Sequence, residues 1–285
     1  MSTITTAEEI RAHTRAMWAG VADSWAEHAD YVETRGAHVA ELMLARTAPQ
    51  PGERVLELAS GGGDVGIAAA PLVGPGEVVV SDVADEMVDI AARRAEARGL
   101  ANVIPRVFGV EAIDDADSSY DVVLCREGLM FALDPELAVR EIARGLRPGG
   151  RAAVAVWGPR EQNPWLGCVF DAVSAQFERP MPPPGIPGPF ALSEPGRLEG
   201  LLAGELEAVE VEEVAVPLRA ASFDAWWSRV SALAGPLSSI LGGMSGEAQR
   251  ALRGRLEDAV LPYRTADGGL SFPGTSLLGS GRRSG

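Results

Sequence analysis

Two carboxylates and a glycine-rich turn are the first features of this sequence whose residue types and spacing suggest chemistry. An apolar run that ends near Glu57 leads into the glycines of residues 61–63, and a helix of small residues follows. Because glycine has no Cβ, the backbone amides of such a turn can approach a bound nucleotide closely at a helix N-terminus. Asp82 follows the next β-branched run, at the distance where a carboxylate binds ribose hydroxyls. The pattern predicts a site for a nucleotide-type cofactor.

Two classes of cofactor compete for this site. Residues 61–66 have the glycine spacing of a dinucleotide-binding turn. Glu57 favours a different ligand, because a carboxylate repels a pyrophosphate and attracts a group such as an ammonium or a sulfonium. The glycines therefore admit either cofactor, and Glu57 favours the cationic one.

The elements that must position these residues follow from the hydrophobic pattern. Short β-branched runs alternate with helical segments, which is typical of βαβ units and a parallel sheet. The first five strands are predicted at residues 54–59, 77–81, 103–108, 120–125 and 151–157. Pro105 suits an edge strand, because proline cannot donate to a sheet ladder. Further strands are predicted at 208–216 and within 268–280. The prediction is an α/β fold with a doubly wound, Rossmann-like, seven-stranded and mostly parallel sheet.

The chain is expected to form one overall domain with three parts. Residues 1–48 form an N-terminal helical lid, residues 49–160 form the cofactor-binding core, and residues 161–285 complete the sheet with insertions that shape the substrate site. The proline-rich stretch at 179–190 is either a surface crossover or a wall of the pocket.

Composition excludes several classes of function. The formal net charge of −15 repels polyanions, which argues against nucleic acid and anionic membranes as partners. No stretch reaches about 18 consecutive apolar residues and no signal-peptide pattern is present, so we expect a cytoplasmic protein without integral membrane association. Cys125 and Cys168 have no metal-type spacing, so no metal site is expected. A homodimer remains open.

Four motifs in order make the chain similar to the class I S-adenosylmethionine-dependent methyltransferases, from about Trp18 to Trp157. They are the acid and glycine turn at 57–63, the segment 81–87 with Asp82, the segment 119–123, and the segment 146–151 after a helix. The resemblance implies S-adenosylmethionine as the cofactor.

The resemblance also implies roles for individual residues. Glu57 would help to hold the methionine amino group, Gly61 and Gly63 would pass under the methionine and ribose, and Asp82 would accept hydrogen bonds from the ribose. Other implied cofactor contacts are Trp25, Ala59, Ser60, Val83, Met87, Val110, Glu111, Cys125 and Arg126. Trp25 occupies the place of an aromatic cap in the quinone-methylating branch. The chain departs from the family pattern at Ala59, where glycine is usual, and at Val110, where an acid is usual and Glu111 stands next.

The predicted reaction is transfer of a methyl group to oxygen or carbon of a small, apolar, aromatic acceptor such as a quinone or a secondary metabolite. Phe131 and Trp157 lie just beyond strand ends and are predicted to contact the acceptor. His28 is the candidate base, because its ordinary pKa lies near the working pH; a structural role is the alternative. The aromatic residues of the later segments either contact the acceptor or pack the insertions. They are Trp165, Phe190, Trp226 and Trp227.

Two other functions remain open from the residues alone. One is an NAD(P)-binding oxidoreductase, which the glycine spacing admits. The other is a protein that binds the cofactor without turnover and acts as a partner or regulator.

Overall fold

A seven-stranded sheet forms the centre of the computed structural model, which describes residues 6–183 and 186–285. Its strands are β1 (Arg54–Leu58), β2 (Glu77–Asp82), β3 (Val103–Val107), β4 (Tyr120–Arg126), β5 (Leu146–Trp157), β6 (Glu207–Ala215) and β9 (Thr275–Arg282). A separate ribbon pairs β7 (Leu218–Ala220) with β8 (Leu270–Phe272).

Helices cover both faces of the sheet. They are α1 (Ala7–Ala19), α2 (Ala22–Glu27), α3 (Ala29–Thr47), α4 (Asp64–Val73), α5 (Asp85–Ala97), α6 (Pro135–Gly145), α7 (Pro164–Phe177), α8 (Pro195–Ala203), α9 (Phe223–Leu233), α10 (Gly235–Gly242) and α11 (Gly246–Ala259). Within the described ranges, none of these helices combines the length and the apolar character needed to cross a bilayer.

The strand order β3-β2-β1-β4-β5-β9-β6 confirms the doubly wound prediction. The first five strands are parallel, and β9 and β6 pair antiparallel. β3 lies at the edge as Pro105 predicts. The chain winds from β1 to one side and then crosses to β4 on the other. In such sheets a crevice forms beyond the carboxyl ends of the two strands where the winding reverses. The fold therefore places the end of β1, with Glu57, beside the end of β4.

Three predicted boundaries are corrected. The fifth strand begins at Leu146 rather than 151, because α6 ends at Gly145 and Leu146 already has extended backbone. The helical segment predicted from 222 to 263 is divided into α9, α10 and α11, since Pro236 cannot continue the α9 hydrogen-bond pattern. The stretch 268–280 is likewise split into β8 and β9 in different sheets.

The N-terminal helices pack over the carboxyl end of the sheet. Trp18 and Trp25 pack with Ala84, Met87 and Ile90 near the start of α5. α3 lies against β5 and β9, and α2 also contacts α9 from the C-terminal part of the chain. Segments from both ends of the sequence therefore meet above the crevice.

Candidate functional site

A cavity of about 340 Å³ lies at the carboxyl ends of β1, β2, β4 and β5, where the winding reverses. That volume is within the range of small-molecule sites. Most of the predicted site residues line it: Trp25, Glu57, Ala59, Ser60, Gly61, Asp82, Val83, Met87, Val110, Glu111, Arg126, Phe131 and Trp157. The structure thus brings the predicted cofactor and acceptor contacts into one space.

Asp82 fixes the glycine turn. Its Oδ2 accepts a hydrogen bond from the Gly61 amide at 3.0 Å, and its Oδ1 accepts one from the Ala84 amide at 3.1 Å. Burial raises the pKa of the Asp82 carboxyl, and these amides lower it. A carboxylate offers about four acceptor sites, so Asp82 retains capacity for a ligand hydroxyl.

Glu57 belongs to β1 and is buried, with 2 % of its surface exposed. Its carboxyl faces the first turn of α4. Its two oxygens accept hydrogen bonds from the amides of Val65 at 3.2 Å and Gly66 at 2.8 Å. Burial raises the pKa of Glu57 to about 8, against the opposing effect of the Gly66 amide. The carboxyl thus lines the cavity without a direct ion pair among the described residues, and a cationic ligand group would favour its ionised form.

Trp25 lies directly over the glycine turn. Its indole Nε1 donates to the Leu233 carbonyl in α9 at 3.0 Å, which holds the ring in place. A Cβ added to Gly61, where φ is +51°, would lie 2.9 Å from the Trp25 ring. Trp18 makes edge contacts with Trp25 and with Phe131, at ring-centroid distances of 6.0 and 5.1 Å. An aromatic wall therefore runs from the turn to the predicted acceptor contact.

The part of the cavity beside the glycine turn has polar groups with unused hydrogen-bonding capacity, and these groups suit a nucleoside cofactor. The Ser60 hydroxyl is buried and has no hydrogen-bond partner among the described residues. Buried polar groups of this kind normally have a partner. The orphaned hydroxyl, the spare acceptor sites of Asp82 and the apolar walls of Val83 and Met87 together match the polar and flat apolar surfaces of an adenosine group.

The part of the cavity near Trp157 is aromatic, and Arg35, which the sequence analysis missed, lies within it. Trp157 and Trp165 meet edge to face, with ring centroids 5.2 Å apart. The Arg35 guanidinium lies over both rings, 4.7 Å from the Trp157 centroid and 4.0 Å from the Trp165 centroid. The helical pattern of α3 does not show that Arg35 faces inward.

A second missed residue is Glu127, which follows β4 and lines the cavity. Its backbone has φ of +58°, a left-handed conformation that is uncommon outside glycine. Burial raises the pKa of its carboxyl, and the charges of Arg126 and Arg35 lower it. Its position directly after a parallel strand is the signal that could have identified it.

A buried ion network joins the turn to the lid. Asp64 at the start of α4 pairs with Arg94 Nη1 at 2.5 Å and with Arg126 Nη2 at 2.6 Å. Arg94 also pairs through Nη2 with Glu33 of α3 at 2.6 Å. Arg126 therefore lines the cavity and also forms an ion pair with the buried Asp64.

Three predicted site residues lie outside the cavity lining. Cys125 is fully buried, because alternate strand residues face opposite ways and Arg126 takes the outward position; burial raises the pKa of its thiol to about 12. Gly63 faces α5, where an added Cβ would lie 2.8 Å from that of Ala91. His28 joins α2 to α3, with its Nδ1 3.0 Å from the Ser24 carbonyl oxygen. The geometry therefore does not support His28 as a base.

Two further expectations are resolved by the contacts. Glu111 lines the cavity, but its oxygens already accept from the Asp134 amide at 2.7 Å and pair with Arg11 at 3.1 Å. From the proline-rich stretch, Pro189 lines the cavity, whereas Pro184 and Gly185 lie outside the described residues.

Of the four later aromatic residues, Trp165 lines the cavity and the others pack elsewhere. Phe190 packs on Phe170, and Trp226 is buried with its Nε1 donating to the Trp165 carbonyl at 3.1 Å. Trp227 packs against the core. Packing of the insertions accounts for these three, and Trp226 indirectly supports Trp165.

The doubly wound sheet and its switch-point cavity define a Rossmann-like protein with a site for a nucleoside cofactor. Residues 55–150 match the family model described as a methyltransferase domain. Over that stretch the chain is similar to methyltransferase domains, as the four sequence motifs predict.

Relatives of known name agree with this assignment. The chain is 37 % identical over 130 residues to the ubiquinone/menaquinone biosynthesis C-methyltransferase UbiE of Ectopseudomonas mendocina, a match that covers 45 % of this chain and 50 % of the relative. The chain thus spans about half the length of the curated relatives it matches.

Solved structures share the fold. The YcgJ protein of Bacillus subtilis superposes with a TM-score of 0.61 at 23 % identity, over 87 % of this chain and 99 % of that one. A phosphoethanolamine N-methyltransferase of Haemonchus contortus, solved with S-adenosyl-L-methionine, gives a TM-score of 0.53 at 18 % identity, over 87 % of this chain and 53 % of that one.

Proposed function

We propose that this chain transfers a methyl group from S-adenosylmethionine to oxygen or carbon of a small, apolar, aromatic acceptor. One observation carries the proposal: a single cavity joins the turn held by Asp82 to the aromatic walls of Phe131, Trp157 and Trp165. A transferase of this kind must hold both reactants together, because most of its acceleration comes from proximity and orientation.

The residues of the first half would hold the cofactor. Asp82 would accept hydrogen bonds from the ribose hydroxyls, Glu57 would face the methionine ammonium, and Val83 with Met87 would pack the adenine. Bound there, S-adenosylmethionine supplies an electrophilic methyl on a sulfonium sulfur. Trp25 covers the Gly61 turn and would keep water from this half of the site.

The residues of the second half would orient the acceptor and accept its proton. Phe131 and Trp157 offer flat apolar contacts to an aromatic ring. Glu127, rather than His28, is placed to accept a proton from an acceptor hydroxyl at a carboxylate oxygen, because it lines the cavity and burial raises the pKa of its carboxyl.

The proposed function assigns a role to each of three parts of the chain. Residues 49–160 form the cofactor core, with 1–48 as the lid and 161–285 shaping the acceptor site; residues 1–5 of the lid lie outside the described residues, and α2 of the lid contacts α9 of the third part. The net charge of −15 disfavours nucleic acid as the substrate. We place the enzyme in the cytoplasm.

The test is a methyl-transfer assay with S-adenosylmethionine that carries a deuterated methyl group. Quinols, hydroxylated aromatic compounds and aromatic acids are incubated with the protein, and products are detected by mass spectrometry. We expect the label in an aromatic product. Cofactor binding without labelled product across the panel would instead favour a binding partner that has lost turnover.

Replacing Glu127 separates chemistry from cofactor binding. We expect Glu127→Gln to lower kcat by about 100-fold or more for a hydroxylated acceptor, because the amide cannot accept the proton. The dissociation constant for S-adenosylmethionine should stay within about threefold. The matched control is Glu199→Gln, which changes an exposed carboxylate. A Glu127→Gln enzyme with normal kcat would remove this residue from the mechanism.

The raised pKa of Glu57 gives cofactor binding a pH dependence. Below about pH 8 the carboxyl is mainly protonated in the free protein, and a bound ammonium would favour its ionised form. Binding should therefore release a proton, and affinity should rise with pH up to about pH 8. Calorimetry in two buffers of different ionisation enthalpy measures that proton. Glu57→Gln should abolish the effect; equal heats in both buffers for the wild type would contradict the assignment.

A further inference from the structure

Arg35 is held in a fixed position at the aromatic end of the cavity. It lies in α3, and its guanidinium is stacked 4.0 Å from the Trp165 centroid and 4.7 Å from the Trp157 centroid. Contact of a cation with two aromatic faces restricts the side chain and preorganises its donor edge. The donors of Arg35 therefore have a defined place beside the predicted acceptor contacts.

Two of those donors are buried and unused. Arg35 Nε and Nη2 have no hydrogen-bond partner among the described residues. An arginine side chain stays charged, and leaving its buried donors unpaired costs free energy. By contrast, Arg94 pairs through Nη1 with Asp64 and through Nη2 with Glu33. The protein thus supplies partners for Arg94, whereas Arg35 lines the cavity with two donors that have no partner among the described residues.

No neighbouring carboxylate among the described residues accepts a hydrogen bond from Arg35 Nε or Nη2. Burial lowers the pKa of Arg35, and the nearby charges of Glu127 and Tyr31 raise it while Arg126 lowers it further. The Glu127 carboxyl accepts instead from the Ser276 hydroxyl at 3.3 Å. Within the described residues, no ion pair within 4.0 Å joins Arg35 to a carboxylate. Arg35 thus places a positive charge beside the aromatic rings of Trp157 and Trp165 in the cavity lining.

We propose that Arg35 binds a carboxylate on the acceptor, so that the substrate is a planar aromatic acid. The paired N–H donors of a guanidinium match the two oxygens of a carboxylate. The inference rests on the proposed function for the identity of the second reactant, but the anion site is testable without turnover.

The experiment compares matched ligands on the whole chain. Binding of 2-naphthoate and of its neutral analogue 2-naphthamide is measured by calorimetry, with benzoate and benzamide as a smaller pair. The wild type should bind the acid about 10- to 100-fold more tightly than the amide, the scale of charge-assisted hydrogen bonds. Arg35→Gln should bind acid and amide alike, whereas Arg35→Lys should retain part of the preference.

The control variant is Arg93→Gln, which removes an exposed arginine of α5 outside the cavity lining. Its preference for the acid should equal that of the wild type. The proposal is overturned if wild-type protein binds the amides as tightly as the acids or binds neither acid, and also if Arg35→Gln keeps the full preference. The wild-type comparison decides the matter even if a variant does not fold.

The same preparations are titrated with S-adenosylmethionine. An acid preference that depends on Arg35, together with no cofactor binding, would contradict the proposed methyl transfer and leave the anion site standing. Cofactor binding without any acid preference would contradict the anion site and leave the proposed methyl transfer standing.

Discussion

Asp82→Ala should weaken S-adenosylmethionine binding by about 3 kcal/mol, or roughly 100-fold in the dissociation constant. The carboxylate has two roles that the substitution removes together. It would accept the ribose hydroxyls, and it holds the amides of Gly61 and Ala84 at 3.0 and 3.1 Å. Without it, the turn loses the acceptor that fixes its amides, and the ribose loses a charged partner.

Calorimetry with purified protein measures this effect, and a thermal melt confirms that the variant is folded. Asp85→Ala is the matched control, because Asp85 is an exposed carboxylate at the start of α5. Its dissociation constant should stay within about threefold of the wild type. An unchanged constant for Asp82→Ala would show that the ribose is held elsewhere.

The largest expected effect on stability comes from Asp64→Ala. Asp64 is 5 % exposed and pairs with two guanidiniums, Arg94 at 2.5 Å and Arg126 at 2.6 Å. Removing one partner of a buried ion pair leaves uncompensated charge, which typically costs about 3–5 kcal/mol. We expect a fall of that size in the free energy of unfolding. Because Arg94 also pairs with Glu33 of α3, the variant should loosen the lid as well.

Urea denaturation of the variant and the wild type measures the difference. The control is Asp114→Ala, which removes a carboxylate that is 82 % exposed and lies 3.3 Å from Arg106. Exposed pairs of this kind contribute about 0–1 kcal/mol. If Asp64→Ala lowers the free energy of unfolding no more than Asp114→Ala does, the buried ion network does not stabilise the fold.

The sheet was predictable because its strands are nearly continuous β-branched runs separated by turn residues. Parallel strands buried on both faces must have such a composition, and Pro105 identified the edge. Once the winding reverses beside β1, the position of the cavity follows from topology alone. The boundaries were less predictable: Leu146 extends β5 because the chain straightens directly after α6.

Residues at strand ends come together in the structure, since the carboxyl ends of parallel strands meet at one edge. Asp82 and Trp157 line the cavity for that reason. Cys125 and His28 lie outside the cavity lining, Cys125 in the buried part of β4 and His28 at the junction of α2 and α3.

Arg35 and Asp64 were missed because their contacts depend on long-range packing. Gly36 in the middle of α3 was the available signal, because an added Cβ there would overlap the Arg126 guanidinium. A glycine inside a helix indicates close approach by another group. That approach brings α3, and with it Arg35, against the end of β4.

Calorimetric titration of the purified chain with S-adenosylmethionine and, separately, with NAD⁺ tests the central claim most directly. The carboxyl of Glu57 beside the turn and the acceptor sites of Asp82 predict binding of S-adenosylmethionine and no measurable binding of NAD⁺. Binding of NAD⁺ with no binding of S-adenosylmethionine at high micromolar concentration would contradict the account.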